Sequence, residues 1–185
     1  MHACEIATLR IQLLHIEPLI WRQLEVPTTI TLGALHEVVQ AAMCWSGTHL
    51  WEFTIDGRRY GTPDDDDWRD EPLEDADDTL LGDLLKPRTT AIGYVYDFGD
   101  NWELRLTLTN RRTGVPDTAY PRYVSGERGA PPEDCGGVPG FRQLLDALSD
   151  PDNSDHAEML EWVGDYDPAI VDAASIRADL AGMAS

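Results

Sequence analysis

Two extended segments followed by a helix are predicted within residues 6–44, which read IATLRIQLLHIEPLIWRQLEVPTTITLGALHEVVQAAMC. Residues 6–14 and 19–26 are rich in aliphatic side chains and are separated by a turn-like His-Ile-Glu-Pro, which is typical of a β-hairpin. The apolar residues that follow recur every three or four positions, which predicts a helix over about 32–44. Thr31 is the expected N-cap, because its hydroxyl can accept a hydrogen bond from a free amide of the first turn.

Two further hairpins are predicted downstream of this helix. Residues 50–60 alternate apolar and polar side chains around Asp56-Gly57, two positions that tolerate the positive φ of a tight hairpin turn. Residues 91–96 and 102–109 are joined by the turn-forming residues 97–101. The order of hairpin, helix and hairpins predicts an α+β protein with a mixed sheet and one packed helix, an order of elements that resembles the ubiquitin-like β-grasp.

Acidic residues dominate the stretch 63–78 between these hairpins. Such a stretch repels itself and has few apolar groups to bury, so we expect a solvated, mobile loop. Residues 79–85 then read as a short helical turn. Residues 111–140 are rich in Pro and Gly and predict a long loop.

Three helices are predicted near the C-terminus. The first is a short amphipathic helix over residues 141–148. Asp155 and Glu158 have the spacing of a capping box for a helix at about 156–163. Pro168 is expected to start the last helix, since proline is favoured at the first helical position.

Length and composition predict one structural unit. The chain has 185 residues, of which 42% are hydrophobic and 26% charged, enough to bury a core. We expect residues 1–110 to form the α+β core with the acidic loop 63–78. Residues 111–185 would form a Pro/Gly-rich loop and a helical lobe packed on that core.

The charge balance excludes several classes of partner. The net charge is −20, and the pI is about 4.3. Direct nucleic-acid binding is not expected, because it depends on clustered Lys and Arg, and anionic membranes are disfavoured for the same reason. No apolar run is long enough to span a bilayer, and no basic, then apolar, secretory leader is evident. With only three scattered cysteines, a cytoplasmic location is expected.

Four segments resemble the plasmid pRiA4b ORF-3-like family. They are residues 18–49, YDFGDNW (96–102), PPEDCGG (131–137) and EMLEW (158–162), and the matches run in order over nearly the whole chain. Family members are often labelled as transposon passenger or TnpR-type resolvase proteins. The resemblance implies a mobile-element-associated protein of a family that has no established activity.

The chain departs from this family at three positions. Tyr123 and Ala130 stand where many relatives carry cysteine, and Trp51 stands where a second histidine often follows the one matched by His49. If relatives bind a metal through those residues, this protein has lost part of the set. Resolvase chemistry is not expected either, because only Ser125, near Arg122 and Arg128, lies even loosely in an arginine-rich segment and the chain is acidic.

The main functional prediction is a non-catalytic module that binds an unidentified protein or small ligand. The inward-facing Arg22 must find a carboxylate or several carbonyls, and we predict that it pairs with Asp97 or Asp100. The site is expected where this strand, the YDFGDNW turn and the PPEDCGG loop meet. Its predicted residues are Arg22, Asp97, Asp100, Trp102, Glu133, Asp134 and Cys135.

Two alternatives remain open at this point. The first is a metal-dependent hydrolase or nuclease, in which His36, His49, Asp97 and Asp100 hold zinc or another divalent cation. No other cofactor is predicted. The second is an acidic DNA mimic that occupies a basic partner protein.

Overall fold

The computed structural model describes residues 4–63, 73–86 and 91–184. Eight strands in this part of the chain form one sheet. The strands are β1 (Glu5–Leu13), β2 (Trp21–Pro27), β3 (Trp51–Ile55), β4 (Arg58–Gly61), β5 (Leu73–Asp75), β6 (Ile92–Tyr96), β7 (Trp102–Thr113) and β8 (Arg122–Glu127). The helices are α1 (Leu32–Met43), α2 (Leu81–Leu84), α3 (Gly137–Ser149), α4 (His156–Val163) and α5 (Ala173–Met183).

The sheet has the strand order β5-β4-β3-β6-β7-β1-β2-β8. Neighbouring strands are antiparallel except for the parallel pair β4 and β5. The predicted α+β class is therefore confirmed. The β-grasp arrangement is not confirmed, because β1 lies between two antiparallel neighbours in a sheet of eight strands.

The three predicted hairpins all form, as β1–β2, β3–β4 and β6–β7. Asp56 and Gly57 have φ values of 51° and 79°, the left-handed backbone that the tight turn requires. The predicted helix α1 also forms. The hydroxyl of Thr31 accepts a hydrogen bond from the amide of Ala34 over 3.1 Å, which confirms its capping role. The apolar side of α1 belongs to the same buried core as the central strands.

Two strands lie where loops were predicted. Leu73–Asp75 forms β5, although it falls within the acidic stretch, and Ala76 beside it is buried. Residues 64–72 of that stretch lie outside the described residues. Residues 122–127 form β8 at the other edge of the sheet, inside the predicted loop 111–140. Both strands are short, and partner strands supply the pairing that local sequence does not indicate.

Buried Glu25 on β2 fastens β8 to the sheet. Its two carboxylate oxygens accept hydrogen bonds from Arg112 Nη2 over 2.6 Å and from Arg122 Nε over 2.5 Å. One of these arginines lies on β7 and the other on β8. The sheet thus extends past residue 110, where the predicted core ended.

The helix starts near the C-terminus differ from prediction. α3 begins at Gly137, earlier than expected. α4 forms, but Asp155 makes no side-chain cap bond, so the capping box was wrong. The last helix begins at Ala173 and is capped by Asp172; Pro168 instead accepts a hydrogen bond from the amide of Gly129 over 3.1 Å. Among the described helices, none is long and apolar enough to cross a membrane.

Candidate functional site

Three loops meet at one end of the sheet, and we call this place the loop junction. The first loop follows α1 (residues 45–50), the second is the β6–β7 turn (residues 97–101), and the third precedes α3 (residues 131–136). The structure brings the second and third loops together, as the predicted binding site requires. It adds the first loop, which carries His49.

Hydrogen bonds from backbone amides join the β6–β7 turn to both of its neighbours. The amide of Asp97 donates to the carbonyl of Leu50 over 2.8 Å. The amide of Gly136 donates to Asp100 Oδ2 over 3.2 Å. Asp100 therefore holds loop 131–136 against the turn, which gives it a structural role at the junction.

Glu133 ties its own loop to the end of β6 and to the loop 45–50, with one carboxylate oxygen for each. Oε1 accepts from the hydroxyl of Tyr96 over 2.6 Å, and Oε2 accepts from the amide of Ser46 over 2.9 Å. Burial and the bond to Glu133 raise the pKa of Tyr96, so the phenol stays a proton donor. The indole of Trp45 adds a bond to the carbonyl of Pro131 over 2.9 Å. Glu133 thus positions the loops.

Asp97 has one oxygen committed to the turn and one available. Its backbone is left-handed, with φ of 55°, and Oδ1 accepts from the amide of Gly99 over 2.9 Å and of Asp100 over 3.3 Å. This is the local turn chemistry typical of aspartate. Oδ2 lies 3.8 Å from Nε2 of His49.

Asp134 approaches the same histidine from the third loop. Its Oδ1 lies 3.2 Å from His49 Nε2. One ligand atom each from His49, Asp97 and Asp134 lie within 4.8 Å of one another. The side chains are 33%, 14% and 73% exposed, so solvent reaches the group. An imidazole nitrogen with two carboxylates is a donor set that can hold a divalent cation.

Aromatic rings pack between the core and the group formed by His49, Asp97 and Asp134. The ring of His49 meets the ring of Tyr96 edge-on at 5.7 Å, and Tyr96 stacks on Trp45 at 5.1 Å. Trp45 in turn lies 6.0 Å from Trp102. Trp102 was a predicted binding residue, and the structure places it in the core behind the junction, where its side chain is 1% exposed.

A cleft of about 620 Å³ begins beside Asp134 and continues between α3 and α4. Its apolar lining includes Leu144, Met159 and Trp162, and Cys135 also lines it. Burial, with a contribution from nearby acidic groups, raises the pKa of the Cys135 thiol to about 12. The thiol is therefore protonated at neutral pH, which does not favour it as a nucleophile.

His36 does not join the junction. It is buried on α1, its Nδ1 pairs with the hydroxyl of Tyr94 at 2.7 Å, and its ring stacks on Trp51 at 4.1 Å. Burial lowers the pKa of His36 to about 4. The predicted set of His36, His49, Asp97 and Asp100 is thus only half assembled, since neither His36 nor Asp100 belongs to the His49 group.

Arg22 faces inward as predicted, but its predicted partner was wrong. Its Nε donates to the carbonyl of Ala42 over 3.0 Å, and its Nη1 donates to the carbonyls of Trp21 and Glu127 over 2.8 and 3.0 Å. Neither Asp97 nor Asp100 pairs with it. The carbonyls at the end of α1 and on β8 are nearer to this strand than the turn is.

The sequence interpretation placed Asp134 among the binding residues alone and did not group it with His49 and Asp97 as a candidate metal ligand. His49 and Asp134 are far apart in the chain, and no local spacing encodes their approach. The available indication of a ligand-binding loop was the acidic pair Glu133-Asp134 in a segment rich in proline and glycine.

Three comparisons place the chain among known proteins. The sequence profile of the plasmid pRiA4b ORF-3-like protein family matches residues 5–175. An uncharacterized protein of Sinorhizobium fredii is 39% identical over 166 residues, which is 89% of this chain and 84% of that protein. The crystal structure of a protein of unknown function from Methanosarcina mazei Go1 has a TM-score of 0.86 and 31% identity. That similarity covers 93% of this chain and 97% of the other.

Proposed function

The chain belongs to the plasmid pRiA4b ORF-3-like protein family. Because both relatives above are uncharacterised, we propose its function from the loop junction. The protein is a non-catalytic binding module that holds a divalent cation between His49, Asp97 and Asp134. The bound cation then contacts a ligand in the adjacent cleft. The observation that carries this proposal is the approach of the three donor atoms to within 4.8 Å of one another.

The donor spacing is close to what one cation requires. Zinc–ligand bonds to nitrogen and oxygen are about 2.0–2.2 Å long, so neighbouring donors on one ion lie roughly 3.0–3.5 Å apart. His49 Nε2 is already 3.2 Å from Asp134 Oδ1, and 3.8 Å from Asp97 Oδ2. A small side-chain rotation closes the second distance. Asp134 is exposed enough to move, and Asp97 Oδ2 is not used by the turn.

The charge of the site also favours a cation. The two carboxylates beside the imidazole carry negative charge, which a divalent ion neutralises. The imidazole nitrogen favours Zn²⁺ or another transition metal over Mg²⁺ and Ca²⁺, which prefer oxygen donors throughout.

The position of the group explains how a ligand would reach the ion. Three protein donors leave at least one coordination position open. Asp134 lies on the edge of the cleft, whose rim carries the acidic side chains Asp155, Glu158 and Glu161. Without the cation, this acidic rim repels an anionic ligand. When the cation is bound, a carboxylate or phosphate of the ligand can coordinate it. Leu50 and Phe98, which are 70% and 44% exposed, lie next to His49 and Asp97 in the chain and offer apolar contact.

The first experiment is elemental analysis of untagged protein purified without a chelator. We expect zinc or another transition metal in near-stoichiometric amount. Isothermal titration of the EDTA-treated, dialysed protein with Zn²⁺ and Mn²⁺ should then show one site per chain. The absence of both a co-purified metal and a one-site titration would refute the proposal.

Matched variants test which residues hold the ion. His49→Gln and Asp134→Asn should each weaken Zn²⁺ binding by about tenfold or more, since each removes one of three ligands. His15→Gln is the control for the first, because His15 is another exposed histidine beside a carboxylate, that of Glu103. Asp155→Asn, an acid on the cleft rim, is the control for the second. Equal binding by variants and controls would place the ion elsewhere.

A metal-dependent hydrolase or nuclease is the second candidate. The observation in its favour is that three protein ligands plus an open position is the usual arrangement of catalytic zinc, where bound water becomes the nucleophile. The metal-loaded protein should then cleave an activated phosphodiester or ester, and His49→Gln should abolish the reaction. Stoichiometric metal without turnover would exclude those reactions and favour the binding module.

The acidic DNA mimic remains the third proposal. It rests on the net charge of −20, and its predicted partner is a basic protein that high salt releases.

A further inference from the structure

A second cavity, of about 830 Å³, lies on the other side of the loop 131–136. Its wall combines residues from the end of α1, the loop, and the segment 162–175 that leads into α5. Arg22 contributes from β2. The volume falls within the range of small-molecule sites in proteins.

Arg22 is a buried charge without an acidic partner. It is 1% exposed, and three carbonyls accept hydrogen bonds from its Nε and Nη1. Nothing in the described part of the chain accepts a hydrogen bond from Nη2, and no carboxylate pairs with the guanidinium there. Burial lowers the pKa of Arg22 from its ordinary value, but arginine keeps its proton at neutral pH. A positive charge with free donors therefore borders the cavity.

A second unpartnered group lies beside it. The hydroxyl of Tyr166 is buried and has no hydrogen-bond partner among the described residues, and Tyr166 lines the same cavity. Burial raises the pKa of Tyr166, against a smaller opposing effect of Arg22, so the phenol stays neutral and can donate. Buried polar groups are normally paired, so the unpaired Tyr166 hydroxyl at a cavity that Arg22 also lines indicates an acceptor that comes from outside the chain.

The rim of the cavity has the opposite charge. Asp165, Asp167 and Asp172 line it, and two of them also accept hydrogen bonds from backbone amides. These acids disfavour a simple anion such as phosphate. They favour a ligand that places a carboxylate on Arg22 and a cationic group toward the rim. The apolar surfaces of Pro131, Pro132, Trp162, Ile170 and Val171 are available to the rest of the ligand.

We propose that this cavity binds a free α-amino acid with an apolar or aromatic side chain. Its carboxylate accepts hydrogen bonds from Nη2 of Arg22 and from the hydroxyl of Tyr166. Its ammonium group faces the rim aspartates, and its side chain packs on the apolar wall. This site goes beyond the proposed cation site and does not depend on it.

The test begins with thermal-shift screening of the wild-type protein against the twenty amino acids, followed by calorimetry of those that raise the unfolding midpoint. The best binder is then compared with its amide, which lacks the carboxylate, and with its deamino acid, which lacks the ammonium. We expect each analogue to bind at least about tenfold more weakly, because each loses a charge-assisted contact. No binding by any amino acid at millimolar concentration overturns the proposal. An amide that binds as well as the parent overturns it too.

Variants place the ligand in the cavity. Tyr166→Phe should weaken binding by about fivefold or more while the protein stays folded. Tyr60→Phe is the matched control, because its hydroxyl is also buried without a partner but does not line the cavity. Ala174→Trp should abolish binding by filling the cavity from the first turn of α5. Arg22→Lys keeps the positive charge but loses the planar N–H donors of the guanidinium. It should therefore weaken amino-acid binding more than Tyr166→Phe does.

Two outcomes separate this proposal from the cation site. His49→Gln should bind the amino acid with wild-type affinity, and Tyr166→Phe should bind Zn²⁺ with wild-type affinity. Unchanged amino-acid binding in both Tyr166→Phe and Ala174→Trp would show that the ligand binds elsewhere, and would overturn the assignment whatever the metal result.

Discussion

Histidines near the loop junction differ in whether solvent and ligands can reach them. His49 lies at the surface between two carboxylates, while His36 is buried under Trp51 with its Nδ1 against the hydroxyl of Tyr94. Both histidines lie on or just after the same helix, and their residue type gives no means of telling them apart. Burial decides which one is available to a ligand.

The buried His36 predicts a loss of stability in mild acid. In the unfolded chain its ring takes up a proton as the pH falls through about 6.5, whereas in the folded protein it resists protonation until about pH 4. Because the unfolded state then binds more protons at this group, the contribution of His36 to the free energy of unfolding falls between these two pH values. A pKa difference of about 2.5 corresponds to a loss of up to about 3 kcal/mol.

Urea unfolding at pH 7, 5.5 and 4.5 measures this effect. His36→Gln should be less stable than wild type at pH 7 and should lose less of its remaining stability on acidification. His15→Gln, which removes an exposed histidine, should follow the wild-type profile. Parallel profiles for wild type and His36→Gln would contradict the prediction and show that other groups set the acid sensitivity.

Individual helices and turns were predictable where their chemistry is local. The Thr31 cap and the Asp56-Gly57 turn depend on neighbours within four residues, and both form as predicted. The predicted capping box of Asp155 and Glu158 also depends only on near neighbours. Its residues follow a tight turn, however, and the backbone at Asp155 has φ of −95° and ψ of −2°. An N-cap residue has non-helical backbone, whereas Asp155 is in the right-handed helical region and its side chain makes no bond to a first-turn amide.

The two aspartates at helix starts therefore predict different effects. Asp172→Ala removes a hydrogen bond to the amide of Ser175, 2.9 Å long, and should lower the free energy of unfolding by about 1 kcal/mol. Asp155→Ala has no such bond to lose and should change stability by no more than roughly 0.5 kcal/mol. Urea unfolding at pH 7 compares them. Equal losses would mean that the two caps do not differ in solution.

At the scale of the whole molecule, the site depends on contacts that no local pattern encodes. His49 and Asp134 meet because the sheet places the start of β3 beside the β6–β7 turn, and because Glu133 ties loop 131–136 to residues 45–50. The sequence identified the chemistry-bearing segments. The approach of these segments depends on strand order, and one of the three carbonyl partners of Arg22 lies on the missed strand β8.

The net charge predicts how salt acts on the entire fold. With 34 acidic and 14 basic residues, the folded chain concentrates negative charge that unfolding disperses. Salt at about 0.5 M shortens the screening length to a few ångströms, so the unfolding midpoint at pH 7 should rise between low salt and that concentration. Differential scanning fluorimetry in NaCl, with chelator present, measures the midpoint.

The same salt series near the pI of about 4.3 is the internal control, because the net charge vanishes there and the repulsion with it. We expect the midpoint to rise with salt at pH 7 and to change little at the lower pH. A fall of the unfolding midpoint with salt at pH 7 would mean that ion pairs, such as Glu25 with Arg112 and Arg122, stabilise the fold by more than acid–acid repulsion destabilises it. The acidic surface would then be compensated within the fold, and a partner would not be needed to neutralise it.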